Sequence, residues 1–280
     1  MNPTSFRPQP FQCDGLTLAG HDSGAHPGAL PMVLQHGLCG SAQQTAEACP
    51  DNTALRLLTL ECRGHGGSDV GPLSNLSMAT FADDLIAWIG HLRLPPVVLG
   101  GISMGAAIAT RVAVLRPDLV KGLVLVRPAW VSDAAPENML PNAEVGALLA
   151  RHALPAAHAL FRQGATAHRL AQEAPDNLAS LQGFFTRTPQ AVTAALLQRI
   201  AMDGPGVTEA QLRAIAVPAL VVSHAQDAIH PWEHAQQLAD LLPQARLIRI
   251  TPKAVDKAAY LADLHAAITH YLHDTRSLTA

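Results

Sequence analysis

The 280 residues carry 19 Lys and Arg against 22 Asp and Glu, a formal net charge of -3, and 49% of them are apolar. That length accommodates one large domain or a domain with an inserted cap, and the small net charge gives no reason to expect nucleic acid or an acidic membrane surface as a partner. There is no charged leader with an apolar core and no long apolar span, and the four cysteines (Cys13, Cys39, Cys49, Cys62) lack metal-like spacing, so the expectation is a cytoplasmic protein with reduced thiols and no metal.

In chain order, short apolar runs alternate with helix-like stretches. Residues 31–35 (Pro-Met-Val-Leu-Gln) read as a buried strand, followed by a second at 55–60. Phe81, Leu85, Trp88, Ile89 and Leu92 then recur at helical spacing, with Thr80 and Asp83 placed as a capping box ahead of them. Further strands are expected at 97–100, 123–126, 219–222 and 246–250. Leu261, Leu264, Ile268 and Leu272 mark a final amphipathic helix. Such alternation predicts an α/β fold, with a mostly parallel sheet covered on both faces. Residues 128–215 break the pattern. They lack strand-like runs, are rich in Ala, Leu, Gln and His, and read as helices inserted as a cap over the C-terminal ends of the strands, where open α/β sheets bind ligands. The division expected is a core of residues 1–127 and 216–280 with a cap of 128–215.

The pentapeptide Gly101-Ile102-Ser103-Met104-Gly105 stands between an apolar run and a helix-like stretch. A serine on a sharp strand-to-helix turn sits in a strained backbone with its hydroxyl exposed, and glycines two residues to either side leave room for the turn. The helix that follows points its positive end at the site. Ser103 is therefore the candidate nucleophile.

Three further motifs join it in order. His36-Gly37 closes the first strand and leads into Leu38-Cys39-Gly40. Residues 61–68 read Glu-Cys-Arg-Gly-His-Gly-Gly-Ser. The strand at 219–222 runs on through Ser223 to His224-Ala225-Gln226-Asp227. With the Ser103 turn, these resemble the α/β-hydrolase superfamily over nearly the whole chain, with Glu61 where an aspartate is usual. The resemblance implies an α/β-hydrolase fold, a mostly parallel twisted sheet with helices on both faces and an inserted helical cap. It also implies an oxyanion hole from the backbone N–H groups of Leu38 and Met104, and Asp227 as the acid.

One expected feature is missing. Members of the superfamily usually carry Gly-His after the last strand, whereas here that loop reads Thr251-Pro252-Lys253-Ala254-Val255-Asp256-Lys257. A serine hydroxyl needs a base to become nucleophilic at neutral pH. Three groups could replace the histidine. His230 lies three residues after Asp227 and is stiffened by Pro231. Lys253 lies in the loop that lost the histidine, and His265 lies on the last helix, where a core histidine is the simpler reading. His36 and Cys39 in the oxyanion loop, and Trp130 at the start of the insertion, are further candidates for the pocket wall, with packing or loop support as the alternative for each.

These residues point to hydrolysis of an ester-like carboxyl derivative of a small or medium organic acid through an acyl-enzyme at Ser103, with His230 or Lys253 as a displaced base. The substrate is expected to be a partly apolar small molecule, with no cofactor and no membrane, handled by a monomer or homodimer. The alternatives are a non-hydrolytic enzyme of the same fold, acting by elimination or proton transfer, and a binding protein that has lost its base.

Overall fold

The computed structural model describes residues 6–24, 27–51 and 54–277. Eight strands form one sheet in the order β1-β2-β4-β3-β5-β6-β7-β8. β1 (Arg7–Cys13) and β2 (Leu16–Asp22) make an antiparallel hairpin, and β2 pairs antiparallel with β4. The other pairings, among β3 (Leu30–Gln35), β4 (Leu55–Leu60), β5 (Val97–Ile102), β6 (Val120–Val126), β7 (Ala219–Ser223) and β8 (Ala245–Arg249), are parallel.

The six parallel strands fall where the apolar runs predict them. The hairpin was not anticipated, although its signal is present. Asp14 and Gly15 both have positive φ (52° and 75°), the geometry of a two-residue turn that favours Asp-Gly.

Side chains alternate between two buried layers, which is why the strands read as continuous apolar runs. Met32, Leu34, Val98, Val124, Leu220 and Val222 face one layer, completed by α1 (Ala42–Ala48) and α11 (Lys257–Ser277). Val33, Leu99, Leu123, Leu125 and Val221 face the other. There they meet α2 (Met78–His91) and α3 (Met104–Leu115). Trp88, fully buried on α2, fills this layer. The N-cap of α2 is Ser77, whose hydroxyl accepts from Thr80 N at 3.1 Å, one turn earlier than the capping box read at Thr80.

Between β6 and β7 lie α4 (Leu140–Arg151), α5 (Leu154–Gln163), α6 (Ala165–Glu173), α7 (Pro175–Gly183), α8 (Gln190–Ala201) and α9 (Glu209–Arg213). No strand interrupts them. α10 (Trp232–Leu241) follows β7.

Glu61, just past β4, organises the turn that follows. Its Oε1 accepts from Ala42 N at 2.8 Å and its Oε2 from Gly67 N at 2.7 Å. Burial works against its charge, but His21 and these two amides hold the carboxyl down to about 2. Because the folded value lies below the unfolded one, the stabilisation is complete above the ordinary glutamate range. It is lost as pH falls from about 4.5 toward 2. Glu61→Gln should therefore be less stable than wild type at pH 7, with the two proteins converging toward pH 2; urea melts across that range check it, and parallel curves would refute the assignment.

Candidate functional site

The C-terminal ends of β3, β5, β6, β7 and β8 share one edge of the sheet, and the sequence-predicted residues gather there. Ser103 follows β5 with φ 56° and ψ -113°, a conformation that costs an L-residue energy and that the packing must enforce. The flanking glycines are sterically required. A Cβ on Gly101 would collide with the backbone of Gly105, and one on Gly105 would collide with the backbone of Gln35. The turn is pinned by Ser103 N donating to Val126 O at 2.9 Å.

His230 reaches the serine from the loop after β7. Its Nε2 lies 2.8 Å from Ser103 Oγ, and its Nδ1 lies 2.8 Å from Asp227 Oδ1. A carboxylate only accepts, so Nδ1 carries the proton and Nε2 is free to accept from the hydroxyl. The acid and the imidazole are three residues apart, and His230 N also donates to Asp227 Oδ1 at 3.0 Å, closing a local turn. Burial lowers the His230 pKa. Asp227 opposes that shift and Arg127 adds to it.

Two residues that sequence reasoning did not single out hold the acid. Arg127, the first residue after β6, donates from Nε to Asp227 Oδ2 at 2.7 Å, and its Nη2 forms an ion pair with the same oxygen at 2.6 Å. Asn177 on α7 donates from Nδ2 to Asp227 Oδ1 at 2.9 Å, and its Oδ1 accepts from Ala228 N at 2.7 Å and Ile229 N at 3.2 Å. Burial alone would raise the Asp227 pKa. The Arg127 charge and the His230 hydrogen bond overcome it and hold the carboxyl well below its usual range. Neither residue lies in a motif; the available signal was a basic residue at a strand's C-terminal end and a polar residue on an inserted helix.

Ser103 opens on a small cavity of about 130 Å³. Leu38, Ile102, Met139, Leu181, Phe184 and Ile229 supply its apolar wall. Lys253 stands at its edge, its Nζ 3.4 Å from Asp176 Oδ1. A larger open hollow of about 590 Å³ lies against Ala228, Pro231 and His234 but does not include Ser103 in its walls.

The remaining candidates do not line this cavity. Met104 begins α3, where the first N–H groups have no intrahelical acceptor. His36 is fully buried and acts as a strut, with Nδ1 donating to Gly37 O at 2.8 Å and Nε2 accepting from Cys62 N at 3.0 Å. Cys39 is buried, and burial pushes its thiol up to about 12. Trp130 is a core residue rather than part of the cavity wall; its indole N–H donates to Asp203 O at 3.0 Å. His265 packs away from the site, with Nε2 2.8 Å from Glu47 O.

Comparison with known proteins bears on the family and the fold. The family described as alpha/beta hydrolase fold matches residues 31–253. A protein carrying the name carbamate hydrolase RutD, from Pseudomonas savastanoi pv. phaseolicola, is 29% identical over 80% of this chain and 85% of its own. The mouse sn-1-specific diacylglycerol lipase ABHD11 is 36% identical, but over 42% of this chain and only 37% of its own length. Among solved structures, a thermophilic esterase from Thermogutta terrifontis superposes with a TM-score of 0.71 at 23% identity, covering 97% of this chain and 99% of that one.

Thiol chemistry tests the reading of Cys39. Iodoacetamide at pH 8 should leave Cys39, Cys49 and Cys62 unmodified in the native protein, because burial raises all three thiols and the thiolate is the reactive form. Peptide mass spectrometry reads the outcome; rapid alkylation of Cys39 would make it a reactive residue after all.

Proposed function

Because the chain belongs to the α/β-hydrolase fold family, we propose that it is a serine hydrolase cleaving an ester-like carboxyl derivative of a small organic acid through an acyl-enzyme. The observation that carries this is the unbroken line from Asp227 Oδ1 to His230 Nδ1 and from His230 Nε2 to Ser103 Oγ, each step 2.8 Å. Hydrolase names among the relatives support the reaction class.

In this mechanism Ser103 Oγ attacks the acyl carbon as His230 Nε2 takes its proton. The carbonyl oxygen gains charge and is held by the N–H groups of Leu38 and Met104. His230 then protonates the leaving group. Water, deprotonated by the same nitrogen, attacks the acyl-enzyme and releases the acid. Arg127 and Asn177 act by positioning Asp227. Lys253 is committed to Asp176 rather than to Ser103, so His230 serves as the base. The helices between β6 and β7 form the cap. A cavity of about 130 Å³ is small beside the ~300–1,000 Å³ usual for ligand clefts, which favours short acyl groups. All four cysteines are free thiols, supporting a cytoplasmic setting.

An organophosphorus probe should add one label to wild type and none to Ser103→Ala; a folded wild type that stays unlabelled would remove the nucleophile. His230→Ala should lower kcat by at least about 10²-fold, the lower end of general-base contributions. Lys253→Ala should cost less than about tenfold on the same scale. The reverse pattern would transfer the base to Lys253.

The pH profile provides a separate check. The base must be neutral, so activity falls as pH drops through the His230 pKa, which lies below 6.5 in this site. Arg127→Met removes the cation that helps to lower it, so the acid limb of kcat/KM should move to higher pH. A limb that stays in place would remove Arg127 from the tuning of the base.

A further inference from the structure

Resting on the hydrolase reading, we infer that Gln44 on α1 is a positioning residue for the oxyanion hole, holding the Gly37 backbone so that the next N–H, that of Leu38, is set for the substrate's carbonyl oxygen. Gln44 lines the Ser103 cavity, and its Oε1 accepts from Gly37 N at 2.8 Å. An N–H donor requires the oxygen on that side, so the carboxamide has one orientation. Gly37 is buried, and an N–H left unpaired there would cost stability. Gln44 supplies the acceptor from a different element, α1, five residues beyond the Leu38–Cys39 peptide.

Two peptide planes meet at Gly37, and without a Cβ their joint is only weakly restrained by sterics. Leu38 N and Gly37 O share the second plane, so whatever holds that carbonyl aims the amide. Gly37 O accepts from Gly40 N and from His36 Nδ1, each at 2.8 Å. Leu38 N donates to no acceptor among the described residues, the state an oxyanion donor needs before substrate binds. Gln44 fixes the first plane; without it the joint is held on one side only. Cys39, at φ 55°, adds a left-handed residue that the loop must enforce. The acceptor is itself anchored. Ala42 N, at the start of α1, donates to Glu61 Oε1 at 2.8 Å, and the Thr45 and Thr59 hydroxyls, 2.7 Å apart, tie the helix to β4. A Cβ on Gly40 would collide with Gln44 Oε1, so the same oxygen also packs against the far end of the loop.

Gln44→Met keeps the length of the side chain and removes the acceptor. The oxyanion contact strengthens in the transition state, so kcat should fall at least about tenfold while KM moves less than about twofold. The acid limb of kcat/KM should stay in place, because His230 and Asp227 are untouched. A rise in KM at unchanged kcat, no change in either, or a displaced limb would overturn the proposal. Propylboronic acid separates it from the hydrolase reading. The Ser103 Oγ–H bond breaks, an Oγ–B bond forms and the proton passes to His230 Nε2, leaving boron as a tetrahedral anion with an oxygen for the hole. Its Kd, read by calorimetry, should rise in Gln44→Met by about the factor that kcat falls. That weakening without ester turnover in wild type would leave Gln44 in place and sink the hydrolase. An equal Kd in the two proteins would overturn the role of Gln44 whether or not esters are cleaved, and no adduct in either would overturn both. Amide hydrogen exchange needs no variant to fold. Gly37 N–H in wild type should exchange far more slowly than an unstructured amide, and exchange at the unstructured rate would overturn the bond on which the proposal stands.

Discussion

Everything at this site depends on a buried carboxylate, that of Asp227, and on the donors that surround it. Its side chain is wholly excluded from solvent. An ionised carboxylate in that position is tolerated only when paired and hydrogen-bonded. Arg127 covers one oxygen with a hydrogen bond from Nε and the nearby charge of Nη2, and the other receives Asn177, His230 Nδ1 and the amides of Ile229 and His230. These bonds fix the course of the loop from 227 to 230, and that course aims the imidazole at Ser103. Asp227 and His230 can then share one loop, because the turn that carries the carboxylate also orients the ring.

Such an arrangement is not there for stability. A buried ion pair commonly returns little after desolvation, while removal of one partner is strongly destabilising because it strands the other charge. Arg127 itself sits at φ 47°, in the left-handed region, a further cost that the surrounding structure must meet. What the arrangement secures is orientation. Asn177 extends it into the inserted helices. Through one side chain, α7 is fastened to Asp227, Ala228 and Ile229, and Asp176 beside it holds Lys253 on the loop after β8. The polar network of the acid thus spans the core and the insertion.

How much of this was legible in the sequence follows from how local each signal is. The Ser103 turn, the His36-Gly37 loop and the Glu61 turn are sequence-contiguous, and their glycines report steric demands that the backbone makes in place. His230 was reachable by elimination, because the loop after β8 lacks a histidine and the one after β7 has it. Arg127 and Asn177 were not legible. Each acts on a partner supplied by a different segment, across 100 positions between Arg127 and Asp227 and 50 between Asn177 and Asp227, and nothing in their neighbours marks them. For Trp130 the packing alternative is the one the structure shows. An indole near the pocket looks like a wall residue, but its N–H needed a buried acceptor and found one in Asp203 O. The β1–β2 hairpin was missed because Pro and Gln interrupt its apolar alternation, although Asp14-Gly15 marked the turn.

Pairing the acid with an arginine also changes what the base can do. Under the proposed mechanism His230 becomes an imidazolium while Ser103 attacks, and Asp227 would ordinarily be its counter-charge. Here Arg127 already neutralises Asp227 and lies 3.2 Å from His230 Nδ1, so the imidazolium gains less from the acid than it would from an unpaired one. The ring is a weaker base, but it stays neutral to lower pH. Once protonated, it is a stronger acid toward the leaving group. General acid–base efficiency is greatest when the pKa lies near the working pH, and each unit of displacement trades one proton transfer against the other. In that mechanism the remaining stabilisation of the transition state falls to the amide dipoles proposed for Leu38 and Met104. The strained Ser103 turn and the start of α3 hold Met104 N–H in place before substrate arrives, which is the preorganisation that makes such dipoles effective.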